Sequence, residues 1–245
     1  MEELSLVATA DGNSLNVGAW QIEDPQGTVV LFHGIPSVKP DAPGTPTYRD
    51  FARTIAEAGY NAAWADMRGV RDSPGYFSIE GWVRDAAAIV DVARGLRADR
   101  LILVGSSAGG SVAAQAIARG VAADALALLG TPASWVSFAA SPDVALYLIT
   151  HDAGMRVAQD IASDPTEWAA EFASVEAESA VVDLEIPILI VHGTADDVVP
   201  VDHAQRIAKN ARNAEVRILE GASHRLRHED EAIAVLLDWL SRVAP

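Results

Sequence analysis

Ser107 lies in Gly105-Ser-Ser107-Ala-Gly109. The apolar run Leu101-Ile-Leu-Val104 precedes it, and a small-residue stretch that reads as a helix over 107–119 follows. The pattern Gly-x-Ser-x-Gly is weak by itself, but its place between a buried strand and a helix is what a tight nucleophile turn requires. A serine on such a turn holds a strained backbone, and side chains two residues before and after would collide with the turn. The helix N-terminus would aim free N–H groups and partial positive charge at the reacting centre. The bland alternative reads Ser107 as a helix N-cap and the glycines as sites of close helix–sheet packing. A phosphate-binding loop fits poorly, because no Gly-Lys-Ser/Thr follows the glycines, and the dinucleotide pattern G-x-G-x-x-G is absent as well.

A serine hydroxyl needs a base, and the base needs an orienting acid. In a sheet of this kind the acid and then the histidine come later in the chain, each after a strand. The run 188–191 leads into His192-Gly-Thr-Ala-Asp196-Asp197-Val-Val-Pro200, which offers two carboxylates. The run 215–219 leads into Glu220-Gly-Ala-Ser-His224-Arg225. All these candidates leave strands at one sheet edge, where open α/β sheets bind ligands. The other histidines have plainer readings. His192 is structural, His203 sits exposed on a helix, His228 is solvated at a helix start, and His151 lies in the insertion, with substrate contact as its minor reading. No His-Glu-x-x-His or similar spacing occurs, so a metal site is not expected. Arg68 reads as an ion-pair partner, and Ser106 as packing.

These residues need elements to hold them. Runs 4–10 and 15–20 flank Asp11-Gly12, a hairpin turn signal. Strands are expected at 28–32, 61–65, 101–104, 125–129, 188–191 and 215–219. Helices are expected at 48–58, 82–96, 107–119, 202–212 and 229–243. Residues 35–46 contain four prolines and read as loop. Uninterrupted apolar strands alternating with helices imply a mostly parallel sheet covered on both faces, with the hairpin antiparallel at one edge. Residues 133–184 break the alternation. They carry Trp135, Phe138, Tyr147, Trp168 and Phe172, and Asp164-Pro165-Thr166-Glu167 resembles a helix start. This insertion is read as helical, either as connecting helices packed on the sheet or as a small cap over a pocket.

Composition narrows the function classes. A length of 245 residues fits one large domain, able to bury about three quarters of its unfolded surface. With 18 Lys+Arg against 34 Asp+Glu the net charge is −16, which disfavours nucleic acid and anionic membranes as partners. The absence of cysteine excludes disulfides, thiolate metal sites and a Cys nucleophile. The acidic start Met-Glu-Glu-Leu-Ser is unlike a signal peptide, and no run of 18 apolar residues occurs, so a soluble cytoplasmic protein is expected.

Four motifs together resemble the α/β-hydrolase superfamily, in its serine esterase/lipase-like group. They are Leu31-Phe-His33-Gly34, Asp66-x-Arg68-Gly69, Gly105-Ser-Ser107-Ala-Gly109, and His192-Gly-Thr-Ala-Asp196 with Gly221-Ala-Ser-His224. The resemblance implies an α/β-hydrolase fold: a mostly parallel central sheet of about eight strands, helices on both faces, and a short helical cap at about 133–184 within a single domain. It implies a nucleophile Ser107, a base His224 and the acid Asp196 in preference to Asp197. It further implies an oxyanion hole from the N–H groups of Ala108 and Ile35, with Gly34 as the less favoured second donor, since Pro36 has no N–H. His33 would shape that loop. The expected activity is cleavage of a small carboxylic ester through an acyl-enzyme, without a cofactor. A thioesterase, an amidase or peptidase, another serine acyl hydrolase or acyltransferase, and a non-catalytic binding protein stay open as alternatives. The insertion aromatics Trp135, Phe138 and Tyr147 are the expected pocket for an apolar, modest acyl group. The partner is a small-molecule ester-type substrate, and the chain is expected as a monomer or homodimer.

Overall fold

The computed structural model describes residues 1–38, 42–96 and 99–244. The expected loop at 35–46 is irregular where it is described, and residues 39–41 lie outside the described residues. Eight strands form one sheet in the order β1-β2-β4-β3-β5-β6-β7-β8. They are β1 (Glu2–Ala10), β2 (Asn13–Gln21), β3 (Thr28–Phe32), β4 (Asn61–Ala65), β5 (Leu101–Ser106), β6 (Ala125–Leu129), β7 (Ile188–Gly193) and β8 (Ala214–Leu219). Strands β3 to β8 pair in parallel, whereas β1 pairs antiparallel with β2 and β2 with β4. This is the eight-stranded, mostly parallel sheet that the motifs imply. The hairpin turns at Asp11 and Gly12, both at positive φ (49° and 78°), which the right-handed strand twist favours in a two-residue loop.

Five longer helices cover the sheet: α1 (Tyr48–Glu57), α2 (Ile79–Ala93), α3 (Ala108–Ala118), and later in the chain one at Asp202–Asn210 and one at Asp230–Val243. The central strands are apolar throughout because both faces are covered. Val30, Phe32, Leu103, Leu128 and Ile190 point to the layer under α2 and α3. Val29, Leu31, Ile102, Val104 and Val191 point to the layer under α1 and Asp230–Val243. None of the helices is long and apolar enough to cross a membrane among the described residues.

Between β6 and β7 the chain forms α4 (Val136–Ala140), α5 (Pro142–Tyr147), a π-helical turn (Leu148–Asp152), α6 (Gln159–Ser163), α7 (Thr166–Ala170) and α8 (Ala177–Ala180). The Asp202–Asn210 helix is therefore α9, and Asp230–Val243 is α10. Helix α7 begins at Thr166, whose N–H donates to Asp164 Oδ1 at 3.1 Å. The N-cap is Pro165 and not Asp164, one residue later than the sequence suggests, and the Asp164 carboxylate bonds across the proline. The segment is fastened by aromatic packing. Phe172 lies 5.4 Å from Trp135, 5.0 Å from Phe138 and 5.4 Å from Trp168, centroid to centroid.

One buried ion pair ties the far end of the sheet together. Arg68, directly after β4, donates from Nη2 and Nε to Asp85 Oδ1 on α2 at 2.7 and 3.0 Å. Its own backbone N–H reaches Asp85 Oδ2 at 2.8 Å, and Nη1 reaches Asp11 in the hairpin turn at 2.9 Å. The ion-pair reading of Arg68 therefore holds. Asp85 is wholly buried, so Asp85→Ala leaves a buried guanidinium without its main partner. The expected loss is about 3–5 kcal/mol of unfolding free energy, read by denaturant titration. A loss below about 1 kcal/mol would show that Asp11 and solvent compensate.

Candidate active site

Ser107 connects β5 to α3 with φ 52° and ψ −125°. A non-glycine residue at positive φ carries about 1–3 kcal/mol of strain, which the surrounding structure must hold in place. Glycines make the turn possible. A Cβ on Gly105 would stand 2.4 Å from the Gly109 carbonyl oxygen, and one on Gly109 would stand 2.4 Å from the Phe32 carbonyl oxygen. Ser107 occupies the N-cap position of α3, but its side chain makes no cap hydrogen bond. Its own N–H donates to the Leu129 carbonyl at 2.8 Å, which binds the turn to the end of β6.

Asp196 and His224 meet across the ends of β7 and β8. His224 Nδ1 lies 2.7 Å from Asp196 Oδ2, and the Asp196 side chain is fully buried. The other carboxylate oxygen, Oδ1, accepts from the N–H groups of Val198 and Val199 at 2.9 and 2.8 Å. A further imidazole stands on the same oxygen as His224: His192 Nε2 is 3.3 Å from Asp196 Oδ2. Burial pushes this carboxyl up, but the hydrogen bonds from His192, His224, Val199 and Val198 outweigh it and hold the group well below the usual carboxylate range. Because the folded value lies below the unfolded one, the stability it contributes is full above the ordinary carboxylate range. That stability is lost as pH falls toward the folded value. Asp197, the other carboxylate of the loop, is exposed.

Gly130 stands at the junction of these parts. It has φ 58°, and a Cβ there would lie 3.4 Å from His224 Nδ1 and 3.5 Å from Asp196 Oδ2. Its neighbour Leu129 receives the Ser107 N–H, so the serine turn and the Asp–His pair flank one strand end. No hydrogen bond joins Ser107 and His224 among the described residues. Sequence reasoning missed Gly130; the signal was a glycine ending an apolar strand beside the serine strand.

The loop after β3 leans on the serine. A Cβ on Gly34 would stand 2.8 Å from Ser107 Cβ. Among the described residues the Ile35 N–H makes no backbone hydrogen bond, and Ala108 opens α3, where an N–H has no intrahelical acceptor. His33 fixes this loop: Nδ1 donates to the Gly34 carbonyl at 2.7 Å, and Nε2 accepts from the Met67 N–H at 3.0 Å. Burial holds its imidazole pKa down. The Tyr48 phenol, which burial pushes up, lies beside the Ser106 hydroxyl and the Gly34 backbone.

The remaining residues are more scattered. Trp135 is 7% exposed and donates Nε1 to the Val175 carbonyl at 3.0 Å. Phe138 is half-buried against it, with ring centroids 5.3 Å apart. Tyr147 is 54% exposed and stacks on His151 at 4.5 Å. His203 differs from its expected exposure. It is half-buried, and its Nδ1 accepts from the Ala133 N–H at 2.9 Å because the chain leaving β6 packs over α9. His228 differs too, with ring nitrogens shielded from solvent. A cavity of about 420 Å³ lined by Thr28, Arg94, Leu101 and Asp124 lies at the N-terminal ends of the strands. Ser107 is at the opposite edge, so that cavity is no part of this site.

The chain belongs to the alpha/beta hydrolase family, whose family model matches residues 29–239. Among solved structures it is similar to Est1E from Butyrivibrio proteoclasticus bound to ferulic acid, at 19% identity and TM-score 0.69 over 97% of this chain and 96% of that one. An esterase of Pyrococcus furiosus matches at 17% identity and TM-score 0.69, over 100% and 92% of the two chains. Proline iminopeptidase of Mycobacterium smegmatis matches at 16% and 0.69, over 98% and 99%. At these identities the likeness is one of fold. No curated protein matches the sequence.

Proposed function

We propose that the protein is a serine hydrolase that cleaves a small carboxylic ester by way of an acyl-enzyme. The observation that carries this reading is the buried Asp196–His224 pair at 2.7 Å, set beside a serine held at positive φ. Ser107 Oγ attacks the carbonyl carbon while His224 Nε2 takes its proton. Asp196 keeps the hydrogen on Nδ1 and stabilises the imidazolium that forms. The Ala108 and Ile35 N–H groups receive the developing oxyanion. His224 then protonates the leaving alcohol, and in the second step it activates water against the acyl-enzyme. The open Ser107–His224 contact suits an enzyme without substrate, since such bonds tighten in the reacting complex. The ester reading is supported by esterases among the similar structures. The peptidase among them keeps an amide substrate as the alternative.

The test is a fluorophosphonate probe with mass spectrometry of the labelled peptide, alongside turnover of short p-nitrophenyl esters. Labelling at Ser107 that disappears in His224→Ala is the expected result. A folded protein that resists the probe and turns over no ester would overturn the reading.

A further inference from the structure

His192 stands outside the three catalytic assignments, yet its environment is unusually constrained. It is the penultimate residue of β7, is wholly buried, and comes four residues before the acid. Its Nε2 lies 2.8 Å from the Val199 carbonyl oxygen. A carbonyl can only accept, so Nε2 carries the hydrogen. The same nitrogen lies 3.3 Å from Asp196 Oδ2. The other ring nitrogen, Nδ1, has no hydrogen-bond partner among the described residues. A buried imidazole with one nitrogen unsatisfied costs stability. Nε2, by contrast, is engaged on two sides. It tethers the acid loop through Val199, and it occupies the carboxylate oxygen that His224 also uses.

We propose that His192 is a positioning residue for the acid, an inference that rests on the catalytic reading of Ser107, Asp196 and His224. With the Val198 and Val199 N–H groups on Oδ1, the His192 N–H on Oδ2 fixes the rotation of the carboxylate. It leaves one direction open, and His224 Nδ1 fills it. The second donor also draws charge from Oδ2, so Asp196 holds the His224 imidazolium less tightly than an unshared carboxylate would. Other ionisable groups around the pair are Asp197 on the acid loop, Asp202, His203 and Arg206 on α9, and Arg225 and Glu229 on the histidine loop. Burial holds the pKa of His203 down, and Glu229 is engaged by the Ser223 hydroxyl at 2.8 Å. The groups in direct contact with the carboxylate are His192, His224 and the two N–H groups.

The experiment compares kcat, KM and the pH profile of kcat/KM for the wild type, His192→Met, His192→Gln and His192→Asn. Met removes the donor, Gln places an amide N–H near the Nε2 position, and Asn places it near Nδ1, where it cannot reach Asp196. Met and Asn are expected to lower kcat roughly 10–100-fold, the scale of a lost hydrogen bond to a charged group. They are expected to leave KM within about twofold and to move the acid limb of the profile up by about half a pH unit or more. Gln is expected to restore both kcat and the limb. If Met fails to fold, the Gln–Asn pair carries the same comparison. An unmoved acid limb in Met and Asn, or equal impairment in Gln and Asn, would mean that His192 is packing only. Ser107→Ala measured in parallel separates the two claims. Full turnover in that variant would sink the catalytic reading itself, whereas its loss together with an unmoved His192 series would sink this inference alone.

Discussion

Ser107→Ala is expected to abolish ester turnover, lowering kcat by about 10⁵–10⁶-fold, while the protein unfolds at nearly the same temperature as the parent. The size of the loss follows from the role. Loss of a serine nucleophile costs as much as loss of the whole triad, since the remaining members act only through it. The stability expectation follows from the geometry. The turn is held by backbone and glycines: the Ser107 N–H on Leu129, and Gly105 and Gly109 against neighbouring carbonyls. The hydroxyl caps no helix. Alanine at φ 52° bears the same steric penalty as serine, so the strain stays and the effect on stability is within about 0.5 kcal/mol. Residual turnover of 1% or more in the purified variant would place the nucleophile elsewhere.

The parts of this architecture that repeat were the parts legible in sequence. Strand 125–129 has the bounds read from its apolar run, because a strand buried on both faces is apolar at every position. The hairpin was legible from Asp11-Gly12, whose backbone conformation few other dipeptides adopt. The positions of Ser107, Asp196 and His224 at one sheet edge follow from parallel pairing alone. What stayed hidden were contacts between loops. Nothing in the spacing of His192 and Asp196 says that the loop folds back to place both imidazoles on one oxygen. Gly130 reads as an ordinary strand end until its Cα is seen beside His224. Trp135 and Tyr147 shared one pocket expectation, yet one is packed in the core and the other stands in solvent. In a run of helices four to six residues long, no periodicity is sustained enough to say which face turns inward.

Asp196→Asn is expected to lower kcat by about 10³–10⁴-fold, and Asp197→Asn to leave it within about twofold. The difference comes from how many donors each carboxylate must satisfy. Asp197 is exposed, so its charge is solvated and its removal acts on His224 only through screened space. Four nitrogens stand against Asp196, two at each oxygen. An asparagine brings one oxygen and one NH₂. The Val198 and Val199 N–H groups cannot change their nature, so the amide oxygen must turn to them, and the NH₂ then faces the two imidazoles. His192 cannot adapt, because its Nε2 hydrogen is needed by the Val199 carbonyl. His224 can, by moving its hydrogen from Nδ1 to Nε2 and accepting from the amide. That tautomer presents an N–H to Ser107 and can no longer take the serine proton, which is the source of the loss in activity. The His192 N–H stays on the Val199 carbonyl but now faces a donor where a charged acceptor stood, so Asp196→Asn is also expected to cost about 1–3 kcal/mol of stability. The pair of kcat values on a short ester, with urea unfolding of both variants, decides the assignment. The reverse ranking would make Asp197 the acid.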